Sequence, residues 1–379
     1  MAPATSLSST ALTPYIKSLL LSPPNLTPND LAVALRLIFQ QIPSDIQVAS
    51  FLTALSLSKL DKDAKYISTA VQTILEFSDV PNINSSYCAG RIFTDIVGTG
   101  GDGQNTFNVS TSSAIVVAGI PNTNVVVTKH GGKASTSNSG AGDLIARLGI
   151  NTAKINAKTI PKLIEEDNNK FIFLFAPSFH NGMRIVADVR KQLGIPSIFN
   201  ILGPLLNPIR LQSRVLGVFS EELGYIYAQT AKELYPKLSA DELNGSNKYS
   251  TIVVWGEVGL DEVSPIGRSK IWYIDPISGE IQTEYISPKD FGLPEHSLES
   301  VRSGTPQENA NVLMRILKGD TTPADKPIVD YILMNSSVLA VSSGIAADWK
   351  DGVRLAKESL KTGGALEALV HLCEKVDQL

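Results

Sequence analysis

Over the first ~85 positions apolar residues recur at helical spacing. Tyr15, Ile16, Leu19 and Leu20 form one set, Leu31, Ala32, Leu35, Ile38 and Phe39 a second, Val48, Phe51, Leu52 and Leu55 a third. Thr27-Pro28-Asn29-Asp30 has the form of a helix start with proline early in the first turn, and Ser44-Asp45 marks the next start. The pattern predicts a small all-α domain over residues 1–88. From Ile92 the period changes: strand-like runs at 92–97, 125–128, 171–175, 215–219 and 251–254 alternate with helical segments. That alternation predicts an α/β domain over residues 89–379, with a mainly parallel central sheet flanked by helices. Residues 183–206 turn helical again and are expected to pack back on the first domain. The polar stretch 239–250, which holds Gly245, is expected as an exposed loop, and 321–326 as a break before C-terminal helices around 338–347 and 365–376.

Composition narrows the class. The chain has 379 residues, 43% of them hydrophobic and 18% charged, enough for two domains with a sizeable core. A net charge of −4 gives no general footprint for nucleic acid, so any phosphate binding must be local. No apolar run reaches the length of a membrane span. Cys88 and Cys373 fit no disulfide or metal framework, which points to plain thiols in a reducing compartment. Residues 1–13 are rich in Ser, Thr and Ala and hold no Arg, so a frayed helical start is expected rather than an organelle address, and a cytoplasmic location follows.

The chemistry concentrates after the first strand. Asp95-Ile96-Val97-Gly98-Thr99-Gly100-Gly101-Asp102 is an apolar run ending in a glycine-rich turn with a carboxylate. Glycines let main-chain N–H groups turn toward an anion. The turn formally matches the dinucleotide fingerprint, but Gln104-Asn105-Thr106-Phe107-Asn108 is a polar loop where that fold needs a helix, and no acidic residue follows ~20 positions on. Asn108-Val109-Ser110-Thr111 then precedes an apolar stretch, so Ser110 or Thr111 opens a helix whose free N–H groups favour an anion. Lys129-His130-Gly131-Gly132-Lys133-Ala134-Ser135-Thr136-Ser137 follows the next strand; Ala134 removes the hydroxyl a Walker motif requires. Lys129 is expected at the strand end, facing phosphate, and His130 as either a donor to substrate or a structural hydrogen-bonding group. Two such loops on neighbouring strands suit a ligand with more than one phosphate.

Two further features add to this. Asp261-Glu262 lies beyond the strand 251–254, where adjacent carboxylates can bind a hard cation; a bare Asp-Glu pair is otherwise most often a solvated turn. Arg190 lies on an expected helix and can clamp a carboxylate through two hydrogen bonds, or serve only as surface charge. The apolar run 198–206 could line a pocket or join domains.

Together, GTGGD, NxST, KHG, HxxM, VRxxLG, IFNxLGPLxNP and GLDE, in this order from 92 to 264, resemble the anthranilate phosphoribosyltransferase family, with its nucleoside phosphorylase/phosphoribosyltransferase-like fold. The resemblance implies transfer of a phosphoribosyl group from phosphoribosyl pyrophosphate to the amine of anthranilate in tryptophan biosynthesis. It implies Mg2+ as cofactor and a homodimer joined through the helical domain, with no nucleic acid or membrane partner. It also implies contacts to phosphoribosyl pyrophosphate from Gly98, Thr99, Gly100, Gly101, Asp102, Thr106, Asn108, Ser110, Thr111, Lys129, His130, Gly131, Gly132, Lys133, Ser135 and Ser137. Ser110, Asp261 and Glu262 would hold Mg2+. Gly98, His130, Gly132, Met183, Arg190 and Pro204 would line the anthranilate path, and no residue acts as a covalent nucleophile. Three positions depart from the family's usual pattern. Gly132 stands where Asn is usual, Asn181-Gly182 where Pro-Ala is usual, and Pro196-Ser197 where Arg-Thr is usual. All three bear on anthranilate more than on the sugar phosphate. A pyrimidine nucleoside phosphorylase and a nucleic-acid-binding relative are the competing readings; the Lys-His-Gly segment, the Asp-Glu pair and the net charge speak against them.

Overall fold

The computed structural model describes residues 9–84, 86, 88–134, 138–165, 168–235, 250–275 and 278–379. Most of the expected frayed start (residues 1–8) and of the expected polar loop (239–249 of 239–250) lies outside the described residues, as do Ser135 and Ser137.

Four helices open the chain: α1 (Thr13–Leu19), α2 (Pro28–Phe39), α3 (Asp45–Leu57) and α4 (Ala64–Glu76). The start of α2 forms as the sequence dictates. Thr27 Oγ1 accepts from the Asp30 N–H, the Asp30 carboxylate accepts from the Thr27 N–H, and Pro28 occupies the first turn. Its buried face carries Leu31, Leu35, Ile38 and Phe39. Ser44 precedes α3 as expected, but its side chain makes no cap hydrogen bond.

The rest alternates. β1 (Ile92–Gly98), α5 (Val109–Ala118), β2 (Val125–Gly131), α6 (Ala141–Arg147), α7 (Ile160–Glu165) and β3 (Phe171–Phe175) come first. Three short helices follow, α8 (Asn181–Ile185), α9 (Ala187–Leu193) and α10 (Phe199–Leu202). Then come β4 (Ser213–Gly217), α11 (Glu221–Leu234), β5 (Thr251–Gly256), β6 (Ser269–Ile274) and β7 (Ile281–Ile286). The chain ends in α12 (Pro306–Lys318), α13 (Lys326–Ser342), α14 (Trp349–Thr362) and α15 (Gly364–Asp377).

Among the described residues the sheet has seven strands in the order β3-β2-β1-β4-β5-β6-β7. β1 to β5 are parallel; β6 and β7 turn antiparallel. The sequence misses this antiparallel pair because Lys270, Gln282 and Glu284 interrupt the apolar run of strands that are only half covered. The sequence places the fourth strand at 215–219; it ends at Gly217, and Phe219 beyond it is partly exposed. The C-terminal helices also differ from expectation: α13 begins at Lys326 and stops at Ser342, and α14 intervenes before α15.

Two apolar clusters result. One packs β1 to β3 against α5, α12, α13, α14 and α15. The other joins α2, α3 and α4 to Val186, Val189, Phe199, Leu202 and Leu205, and to the opposite face of the sheet at Leu216, Val253 and Trp272. The order of connections reverses between β1 and β4. In open parallel sheets ligands collect at such a reversal, outside the carboxyl ends of the strands.

Candidate active site

The reversal point is crowded by design of its sequence. Gly98 and Gly217 end β1 and β4 and pair with each other. Asp261, from the turn after β5, lies directly over them. A Cβ on Gly217 would sit 1.6 Å from the Asp261 carbonyl oxygen, and one on Gly98 would sit 2.1 Å from Asp261 Oδ2. Only glycine at both positions admits that carboxylate. The loop that follows β1 turns through Gly100 and Gly101, both in the left-handed region with φ of 68° and 80°. This aims the Gly100 N–H at Asp261 Oδ2, 2.6 Å away.

Three carboxylates gather there. Asp261 is buried, while Asp102 and Glu262 are half-buried. Burial, and next the charge of Asp102, push the Asp261 carboxyl up to about 6. Burial, then the charge of Asp261, push Glu262 well above the usual carboxylate range, and burial raises Asp102. Glu262 Oε2 accepts from Tyr331 Oη at 2.6 Å and from Thr106 Oγ1 at 3.4 Å. Among the described residues no three His, Cys, Asp or Glu side chains enclose a metal by themselves. A paired-carboxylate site of this kind suits a hard cation that takes its remaining ligands from water and phosphate oxygens.

Facing them is the N-terminus of α5. Asn108 is its N-cap residue, so Ser110 and Thr111 fall in the first turn, where main-chain N–H groups lack helical partners. The Asn108 side chain does not cap; its amide donates to Ser139 O at 2.7 Å, and its oxygen accepts from Asn309 at 2.8 Å. The phosphate loop is thereby tied to 138–140 and to α12. Thr111 Oγ1 is buried without a protein partner.

Lys129 departs from expectation. The sequence places it just past the strand, but β2 runs on to Gly131, so Lys129 is only 1% exposed. Its Nζ donates to His130 O at 2.8 Å. Burial pulls its pKa down against the opposing charges of Asp95, Glu262 and Asp261. Asp95 is buried too, and accepts from the His130 N–H and Asn207 Nδ2.

His130 lines the cavity and also makes a structural hydrogen bond. Its Nε2 lies 3.0 Å from His180 Nε2, with the rings edge to face. His180 Nδ1 lies 2.9 Å from Ser78 Oγ, whose own hydrogen goes to Ile74 O. Burial holds His180 down to about 4 and His130 well below the usual imidazole value, so both rings are neutral.

The other wall comes from α8 to α10. Met183, Arg190, Phe199 and Pro204 face the loops across a cavity of about 760 Å³. The Arg190 guanidinium lies 5.5 Å above the Phe199 ring, and its Nε is buried without a protein partner. Its nearest acceptor, Asn200 Oδ1, is 3.5 Å from Nη2. Burial pulls its pKa down from the usual guanidinium value. A cation in this setting gains from any carboxylate that reaches it.

Every described residue assigned to the site lines this one cavity: the loop 98–102, Thr106, Asn108, Ser110, Thr111, the segment 129–133, Met183, Arg190, Pro204, Asp261 and Glu262. Sequence reasoning missed Gly217, His180 as the partner of His130, Asn309 and Tyr331. The glycine ending a strand was a usable signal for Gly217. The other three are brought in by tertiary contact alone. Lys62 and Glu222, 3.7 Å apart, also line this cavity.

Comparison with known proteins agrees with this geometry. Residues 90–366 match the family model described as the glycosyl transferase family, a/b domain. The chain is 47% identical over 395 residues to an anthranilate phosphoribosyltransferase of Saccharomyces cerevisiae, covering 98% of this chain and 100% of that protein. A structure of the Saccharomyces cerevisiae enzyme in complex with PRPP and Mg superposes with a TM-score of 0.88 at 45% identity, covering 98% of this chain and 99% of that one. A second, in complex with 4-fluoroanthranilate, gives 0.85 at 43% identity, with the same coverage. With the family model over most of its length and close relatives over nearly all of it, the chain belongs to the anthranilate phosphoribosyltransferase family.

Proposed function

We propose that this chain joins the amine of anthranilate to C1 of the ribose of phosphoribosyl pyrophosphate and releases pyrophosphate. This is the second step of tryptophan biosynthesis from chorismate, with Mg2+ as cofactor. The observation that carries the reading is one cavity with two unlike walls. One has a glycine loop, a helix N-terminus and a carboxylate cluster; the other has an apolar slot with a guanidinium whose Nε has no partner among the described residues.

On this reading residues 98–102, Thr106, Asn108, Ser110, Thr111 and 129–133 take phosphoribosyl pyrophosphate, together with Ser135 and Ser137. The raised carboxyls fit a cation: among the described residues no cationic side chain forms an ion pair with Asp261 or Glu262, and a divalent ion supplies that charge. Those two and Ser110 would hold Mg2+, which when bound neutralises charge on the diphosphate. The aromatic amine carries a free lone pair near neutral pH, so the chain needs no strong base. Its residues instead place the amine behind C1, a large share of such a barrier. Arg190 holds the anthranilate carboxylate, with Met183 and Pro204 against the ring. Main-chain N–H groups of the loop and of α5 receive the growing negative charge on the leaving group.

The same proposal divides the molecule at 88/89, with 183–206 belonging to the helical unit; the shared apolar cluster supports this. It also includes a homodimer through the helical unit, where Ile46 (79%) and Leu57 (78%) lie exposed on α3. The location is cytoplasmic, supported by two free thiols. No described helix is long and apolar enough to cross a membrane.

The test is loss of anthranilate fluorescence on mixing with phosphoribosyl pyrophosphate and Mg2+. Loss that stops with EDTA, with pyrophosphate released in equal amount, is the expected result. Binding of phosphoribosyl pyrophosphate without loss of fluorescence would mean that the acceptor is another amine.

A further inference from the structure

We propose that Tyr331 is a positioning residue for Glu262: from α13 its phenol fixes the carboxylate in the orientation that the cation requires. The inference rests on the functional reading above and assigns a role to a residue outside the loops that carry that reading.

Tyr331 is fully buried, and its Oη donates to Glu262 Oε2 at 2.6 Å. That is a short O–H···O contact, within the normal range for a phenol donating to a carboxyl oxygen. The contact from Thr106 Oγ1 to the same oxygen is 3.4 Å, too long to set its direction. Among the described residues no donor bonds Glu262 Oε1. The phenol thus engages one oxygen and leaves its twin to the cavity.

One turn along the helix, Asn335 secures the next residue. Val263 N donates to Asn335 Oδ1 at 3.1 Å, and Asn335 Nδ2 donates to Val263 O at 3.3 Å. Residues four apart on α13 therefore grip consecutive residues of the Glu262-Val263 turn. The helix makes a firm mount, since every residue from Asp330 to Ser342 is buried.

A buried tyrosine always needs an acceptor, so a packing role is the alternative. Tyr227 and Tyr235 show what that looks like in this chain: their hydroxyls donate to the main-chain oxygens of Ile201 and Leu205. Tyr331 instead directs its donor at a carboxylate on the cavity wall. Groups that orient a metal-binding side chain typically change metal affinity 10- to 100-fold when removed.

The experiment is Mn2+ binding to the full chain with phosphoribosyl pyrophosphate present, read from the electron paramagnetic resonance signal of free Mn2+. A parent chain that takes up no Mn2+ refutes the functional reading itself. Where the parent binds, Tyr331→Phe should weaken Mn2+ roughly 10-fold or more, and saturating metal should restore kcat. In a Glu262→Gln background the same substitution should weaken Mn2+ no further, because its effect runs through that carboxylate. Unchanged affinity in Tyr331→Phe, or an equal further loss in Glu262→Gln, overturns the inference. Should Tyr331→Phe not fold, two unnatural side chains at position 331 replace it. 4-Methylphenylalanine fills the hydroxyl's volume without a donor and should weaken Mn2+. 4-Aminophenylalanine keeps a donor and should bind as the parent does. Equal affinities in the two overturn the proposal.

Discussion

Replacing Arg190 by alanine tests the acceptor wall most directly. The guanidinium is half-buried beside Phe199, with Nε unpartnered and only a 3.5 Å contact to Asn200. It has already lost part of its hydration, as its lowered pKa records, without gaining a close counter-charge in exchange. An arriving carboxylate then forms a charge-assisted pair worth about 1.5–3 kcal/mol. At 1.4 kcal/mol per decade this is roughly a 10- to 150-fold change in affinity. Stability should change little: the ring contact is worth about 0.5–1 kcal/mol, and removing a partly desolvated charge offsets much of that. Initial rates from anthranilate fluorescence, varying each substrate with the other saturating, separate the two walls. Arg190→Ala should raise the anthranilate KM by that factor and leave the phosphoribosyl pyrophosphate KM within about twofold. Arg190→Lys should fall between, because it keeps the charge and loses the planar fork. An unchanged anthranilate KM, or an equal rise for both substrates, would refute the assignment.

Gly98→Ala should fold but lose about 100-fold in kcat. Its Cβ, 2.1 Å from Asp261 Oδ2, must push that carboxylate by about 1 Å; full activity would mean that Asp261 is not needed in place. Gly132→Asn adds a donor where a Cβ meets nothing within 4 Å, so the fold should hold and the anthranilate KM should fall about fivefold, the worth of one ordinary hydrogen bond. A KM that does not move would show that the new amide does not reach the acceptor. His180 binds a proton at about pH 4 when folded and near 6.5 when unfolded, so as pH falls from 6.5 toward 4 the unfolded chain takes up the proton first and the fold loses about 3 kcal/mol. Urea midpoints of His180→Gln should therefore fall less than the parent's between pH 6.5 and 4.5; a steeper fall would contradict the neutral pair.

The phosphate wall was legible because its chemistry is local. A glycine turn, an N-cap and an Asp-Glu pair each sit within a few residues at a strand end, and a parallel sheet delivers strand ends to one edge. The same logic placed Lys129 wrongly by two residues of strand. Val125-Val126-Val127 gives no sign of where pairing stops, and β2 continues through polar residues because β3 pairs with it as far as Gly131. A buried lysine can be read only once Asp95, 34 positions earlier, is known to share its surroundings. The acceptor wall was legible as composition, not as geometry. Arg190 looked like a surface charge until α9 was packed against α3, which turns the guanidinium inward over Phe199.

Three of the residues that escaped prediction act at long sequence separation through side-chain contacts. His180 meets His130 across 50 positions, Asn309 meets Asn108 across 201, and Tyr331 meets Glu262 across 69. Asn309 and Tyr331 lie in no motif, and HxxM, which His180 opens, says nothing of His130, since a motif records only what neighbours along the chain must do together. Each is instead an ordinary polar residue in an element whose period announces a core helix or a turn, and its side chain hydrogen-bonds a cavity residue or the loop that carries one. Such contacts are what convert loops into fixed geometry. A glycine-rich loop is free to take many shapes, and Asp261 lies in a turn that could sit elsewhere. The site exists because α12 and α13, from the far end of the chain, close the hydrogen bonds that those loops leave open.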